Sequence, residues 1–174
     1  MSGFTKKNRM KLNYSSIIKI ISLYQLLVWI VALYYFMTVL YSSIFIDNDL
    51  TSVFILLIFI YLSVWLIFSN FCLLFKLRSN HYKKYLVLNF WSNFFQIFQL
   101  SLLGFNYLFA FGVYIVLGYS DQANQVFLST KLFQTLIALN YTPSNLIRCG
   151  VNVIPLIIFI VLNKIIKDLD GKNK

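Results

Sequence analysis

The stretch Tyr85–Gly118, YLVLNFWSNFFQIFQLSLLGFNYLFAFGVYIVLG, runs without one Asp, Glu, Lys or Arg. As one helix at 1.5 Å per residue it would be about 50 Å long, well beyond a hydrocarbon core of about 30 Å. The end nearer the preceding basic loop is then expected to protrude, tilt or pack on protein. At 100° per residue, Asn89, Ser92, Asn93, Gln96, Gln99 and Asn106 fall within about 140° of arc and make one polar face. Lipid would penalise that face, so it should point into a bundle, across a protein partner or toward water.

Three other apolar runs flank this one. The first, about 20–46, exceeds a secretory h-region of roughly 7 to 15 residues and lacks a small-residue cleavage site, so it is expected to stay as an anchor. Asp47, Asn48 and Asp49 make a short acidic turn, and the chain returns through about 51–75. The last, about 146–166, has the ordinary length of a span and contains Pro155, expected to kink it or free a carbonyl.

Charge gives these runs a direction. Thirteen of the 15 Lys and Arg residues lie in three clusters, at 6–19, 76–84 and 164–174, and only Lys131 and Arg148 fall elsewhere. Short loops rich in Lys and Arg remain cytoplasmic, which predicts both termini on that side. Tyr82, Tyr85 and Trp91 near one end of the third run, and Tyr114 and Tyr119 near the other, suit the two membrane interfaces. The fold class predicted is therefore all-α integral membrane: a four-helix transmembrane bundle with spans at about 20–46, 51–75, 85–118 and 146–166.

Between the third and fourth spans, Val126 to Leu139 is semi-apolar but too short to cross as a helix. On a helical wheel Leu128, Leu132, Phe133, Leu136, Ile137 and Leu139 gather opposite Thr130, Lys131, Gln134 and Thr135, as in an amphipathic interfacial helix at about 126–139. A re-entrant loop over a vestibule is the alternative.

Composition excludes several functions. With 60% apolar, 19% aromatic and 11% charged residues, the chain cannot cover a soluble globule with polar surface. Its net charge of +10 flanks apolar runs, which suits anionic lipid headgroups and not nucleic acid. Cys72 and Cys149 lack metal-ligand spacing and are expected on opposite leaflets, as apolar fillers. All five acids, Asp47, Asp49, Asp121, Asp168 and Asp170, lie outside the predicted apolar core, and the only histidine, His81, is in the basic loop. No metal, cofactor or catalytic set is expected, so an enzyme is disfavoured.

Candidate residues are thus the amide face and Asn152 on the last span. Amides there can bond to tyrosine hydroxyls, Gln25 or Asn152 on neighbouring helices, or copies of the helix can surround an uncharged pore. Arg148 can snorkel to lipid phosphates, pair with Asp47, Asp49 or Asp121, or, repeated in an oligomer, bias a pore toward anions. The expected function is a non-enzymatic membrane protein that self-associates as a channel or membrane-permeabilising effector, such as one used in bacterial defence. An accessory or assembly subunit of a larger membrane complex is the alternative, and a small transporter follows. The expected partners are the bilayer and either further copies or another membrane protein. The expected address is a bacterial inner membrane, or an organelle inner membrane.

Overall fold

Helical geometry stops at Ile97, where Phe98 turns to extended backbone at φ −95° and ψ 138°. That single change overturns the all-α expectation: the chain has four helices and a four-stranded antiparallel sheet. The computed structural model describes residues 6–47, 50–75, 81–102, 105–121, 124–141 and 147–171. The acidic turn beyond Asp47 and the basic loop at 76–80 lie outside the described residues, as do the side chains of the set at 132–139.

In chain order the elements are α1 (Lys6–Ser42), continued by a π-helical turn (Ser43–Asp47), α2 (Leu50–Phe75), α3 (Tyr82–Ile97), β1 (Phe98–Leu102), β2 (Phe105–Ser120), β3 (Gln125–Tyr141), β4 (Ile147–Asn152) and α4 (Val153–Asp170). The run expected as one long helix is therefore α3, β1 and most of β2. The region expected as an interfacial helix is β3, and the last run begins as β4. Pro155 kinks nothing, because it sits in the first turn of α4, where a missing N–H breaks no helical bond.

Two helices are long and apolar enough to cross a membrane, Tyr14–Phe45 at mean hydropathy 2.0 and Val53–Phe75 at 2.4. Only 33% and 22% of those windows are buried within the protein. Tyr34, Tyr41, Phe54 and Tyr61 are among the large side chains left exposed on them. Apolar surface on this scale is what lipid or a protein partner covers.

The four helices meet at the basic end around Ile18, Cys72, Leu73, Tyr85, Leu86, Ile158, Leu162 and Ile165. There Phe90 of α3 stacks on Phe159 of α4 with ring centroids 4.3 Å apart. Tyr14 donates to Asp168, and Lys83 pairs with Asp170, which ties the starts of α1 and α3 to the end of α4. A bundle thus exists, but only at this end.

Toward the far end, α1 and α2 continue beside the sheet. Val28, Trp29, Ala32, Phe36 and Leu66 enclose Phe111 of β2, with the Trp29 and Phe111 rings 4.8 Å apart.

The sheet is rolled, as its registers require. β1 and β4 are antiparallel partners (Phe98↔Val151 to Leu102↔Ile147). β2 pairs antiparallel with β1 through 105–108 and antiparallel with β4 through 116–120. Its two arms must then run in opposite directions, so β2 reverses within 109–115. β3 follows β2 along both arms, with a bulge opposite Gly112/Tyr114 that gives β3 one extra residue. A reversal within the sheet plane would lengthen the outer strand by about 15 Å, or four to five residues, at a strand spacing of about 4.8 Å. One residue is too few, so the ribbon bends out of plane and its arms face each other. Gly112 permits the bend with φ +83°.

Candidate functional site

Rolling the sheet sorts its side chains, because neighbours along a strand point to opposite faces. One face carries Gln99 and Ser101 of β1, Asn106, Tyr114 and Ser120 of β2, and Arg148 and Asn152 of β4. Register aligns Asn106, Ser101, Arg148 and Ser120 across four adjacent segments. The opposite face carries Phe98, Leu102, Phe105, Leu117, Val126 and Leu128, all exposed. The polar face is the inner one, since Leu108 on one arm and Val116 on the other join a single cluster with Ala110, Tyr114 and Phe127.

Contacts inside the roll agree. Tyr114 at the bend donates to Gln99 Oε1, and Ser101 Oγ donates to Asn106 Oδ1 at 2.6 Å. The Arg148 guanidinium lies over the Phe127 ring, 4.1 Å from its centroid. It reaches there across Gly118, which is paired with both Gly150 and Phe127 and leaves the space a side chain would fill. Among the described residues the one ion pair is Lys83 with Asp170, so Arg148 is not paired with Asp121. Lys131 is paired with Tyr114 and so lies on the same face, beside a cleft of about 350 Å³ lined also by Val113, Ile115 and Thr130. These two cations are the only charged residues in the four strands. The inner face of the roll therefore carries two cations, both exposed.

At the bend, the edge of β2 facing β1 and β4 loses its strand neighbours, and side chains replace them. Phe111 N donates to Gln96 Oε1 at 3.1 Å, Val113 N to the Tyr24 hydroxyl at 3.1 Å and Ile115 N to Asn152 Oδ1 at 3.3 Å. An N-cap asparagine usually bonds its own helix. Asn152 makes no such bond and serves the strand instead.

Below the bend a column of amides continues toward the basic end. Gln25 donates to Asn93 Oδ1 at 2.9 Å, and Asn93 donates to the Asn89 carbonyl at 2.7 Å. Asn89 Nδ2 reaches Ser69 Oγ at 3.3 Å, while Asn70 donates to Asn89 Oδ1 at 2.9 Å. Gln25, Asn70, Asn89, Asn93, Gln96 and Asn152 are each no more than 3% exposed. Gln25 Oε1, Trp29 Nε1, Asn70 Oδ1, Ser92 Oγ and Asn152 Nδ2 find no partner among the described residues. Buried polar atoms of this kind are where internal water binds.

The predicted amide face is thus divided. Asn89, Ser92, Asn93 and Gln96 lie on α3, with Ser92 only half buried, while Gln99 and Asn106 lie on strands inside the roll. Tyr24, Tyr114, Ser101, Ser120 and Phe127 were absent from the sequence-based set. The signal for Ser101 and Tyr114 was alternation, since Gln99, Ser101, Asn106, Gly112, Tyr114 and Gly118 fall between large apolar residues, while Tyr24, Ser120 and Phe127 had none. No family model matches the chain, and no curated protein or solved structure matches it.

Proposed function

We propose that the chain is a non-enzymatic integral membrane protein that conducts a small anion through the rolled sheet and the amide column beneath it. In this reading α1 and α2 cross the bilayer, the basic end is cytoplasmic, and the roll opens toward the outer side. The observation that carries it is the placement of Arg148 and Lys131 with Gln99, Ser101, Asn106, Tyr114 and Ser120 on the inner face of a sheet whose outer face is apolar, exposed along the arms and packed on α1 and α2 at Phe111. Apolar-out and polar-in is the pattern of a membrane-embedded barrel wall. Cationic side chains around a polar path favour anions, and neutral amides can replace part of an ion's hydration.

The column beneath gives this path a continuation. From Asn89 to Gln96 it rises about 10 Å along α3, at 1.5 Å per residue. Its unpartnered atoms supply hydrogen bonds for water along the way.

The test is chloride flux and reversal potential in liposomes carrying the purified protein, with Arg148→Glu and Lys131→Glu beside it. Chloride flux that turns toward cations in the two variants supports the reading. No flux from folded wild type, or unchanged selectivity in both variants, overturns it. An accessory subunit is the second reading, favoured by the outer edge of β3, which pairs with no strand among the described residues.

A further inference from the structure

The unpaired edge of β3 carries an inference that rests on the membrane reading above. β3 ends the sheet order β1-β4-β2-β3 and, among the described residues, pairs only with β2, along Gln125 to Tyr141. Because β3 follows the reversal of β2, it forms both lateral edges of the roll. Its first arm, from Gln125, descends from the rim, and its last arm, up to Tyr141, rises back to it. Counted across the roll, the segments are last arm of β3, first arm of β2, β1, β4, last arm of β2 and first arm of β3. Each is antiparallel to the next. Among the described residues the two β3 arms do not pair with each other, so the roll is an open C.

Backbone N–H and C=O groups facing hydrocarbon find no water, and open sheet edges do not persist there. An edge of this length needs a strand beside it. We infer that two copies of this chain join edge to edge, the descending arm of β3 in each pairing with the rising arm of β3 in the other, to close one twelve-segment barrel.

The occupant follows from direction and symmetry. Two copies related by an axis along the membrane normal keep the same orientation in the bilayer. Like arms brought together would run parallel, whereas unlike arms run antiparallel and continue the alternation of the whole sheet. One two-fold axis then makes both junctions at once and leaves no edge. Val126 and Leu128 on the descending arm are 69% and 67% exposed, which suits the lipid face of a closed wall. Closure also brings a second Arg148 and a second Lys131 to the same lumen, which one copy alone only half encloses.

Register supplies the test. Val126 and Leu139 occupy the same row of the sheet, through Tyr119, Cys149, Leu100 and Tyr107. In full-length protein carrying Cys72→Ala and Cys149→Ser, Val126→Cys is combined in turn with Ile137→Cys, Leu139→Cys or Tyr141→Cys, which allows a stagger of two residues either way. Copper phenanthroline in the membrane serves as oxidant, taking two thiols to one disulfide. The expected result is a covalent dimer from one of these pairs and no larger species, with Val126→Cys alone remaining a monomer. A dimer from Val126→Cys alone shows like arms meeting and overturns the inference. Loss of thiols in a species that stays monomeric shows the C closing on itself, and a ladder of larger species shows an open or larger ring; either overturns it. Absence of any bond in all three folded pairs does so too. A cross-linked dimer without anion flux would refute the conduction reading alone, and flux without any dimer would refute the closure alone.

Discussion

The guanidinium carbon of Arg148 on β4 lies 4.1 Å from the ring centroid of Phe127 on β3, with Gly118 of β2 between them. A cation over an aromatic face contributes about 0.5 to 2 kcal/mol, the higher value where water is excluded. Phe127→Leu should therefore lower thermal stability in detergent by that order. The same substitution in an Arg148→Gln background should cost less. Equal costs in the two backgrounds would show that ring and guanidinium do not interact.

The three side chains that replace strand neighbours at the bend should be separable. Gln96→Leu leaves the Phe111 N–H without its acceptor, and an unsatisfied buried group costs about 1 to 3 kcal/mol. Asn152→Leu does the same to Ile115, and Tyr24→Phe to Val113. Hydrogen exchange followed at single amides should show each substitution speeding its own amide most. Uniform acceleration of all three would mean that the bend is held by packing instead.

Gly118 and Gly150 face each other across β2 and β4, yet their substitution should differ in cost. A Cβ on Gly118 would strike the Cys149 carbonyl oxygen and come within 2.6 Å of the Phe127 ring. A Cβ on Gly150 would meet Val116 Cγ1, a side-chain methyl, at 2.6 Å, with the nearest backbone atoms 3.6 Å away. Backbone cannot yield as a rotamer can, and forced overpacking costs about 1 to 3 kcal/mol. Gly118→Ala should thus lower the yield of folded protein and its melting temperature more than Gly150→Ala. The reverse order would mean that β2 and β4 are spaced more widely than the register implies.

How far the sequence discloses this fold depends on which period is followed. Hydropathy alone marks α1 and α2, and the basic clusters mark the end where Tyr14 meets Asp168 and Lys83 meets Asp170. Hydropathy does not distinguish helix from strand in a run apolar on average, and Tyr85–Gly118 changes period halfway. Up to Gln96 its amides recur at helical spacing, and three of them, Asn89, Asn93 and Gln96, do share α3. From Phe98 the order is Phe, Gln, Leu, Ser, Leu, and from Phe105 large residues hold nearly every odd position. Ile147 to Asn152 alternates too, placing Arg148, Gly150 and Asn152 on one face. β-branched and aromatic residues in period two are strand signals. They are outweighed when span length is the first criterion applied. The pairing of β2 with both β1 and β4 leaves no local trace, because register between distant segments is set by tertiary contact.

The amide column is open to a direct energetic test at Asn70 and Asn89, where Asn70 Nδ2 donates to Asn89 Oδ1 at 2.9 Å. Both residues are within 1% of full burial, on α2 and α3 respectively. Interhelical polar pairs in membranes average about 0.6 kcal/mol and reach about 1.7 by double-mutant cycle. Asn70→Leu, Asn89→Leu and the double variant should give a coupling within that range, measured by reversible unfolding in mixed micelles. Asn70→Leu also strands Asn89 Oδ1, so the double variant should be less destabilised than the sum of the singles. Strict additivity would mean that water, and not the partner amide, satisfies each side chain. That outcome would dissolve the pair as a structural clamp while leaving the column wetter than the protein contacts alone suggest.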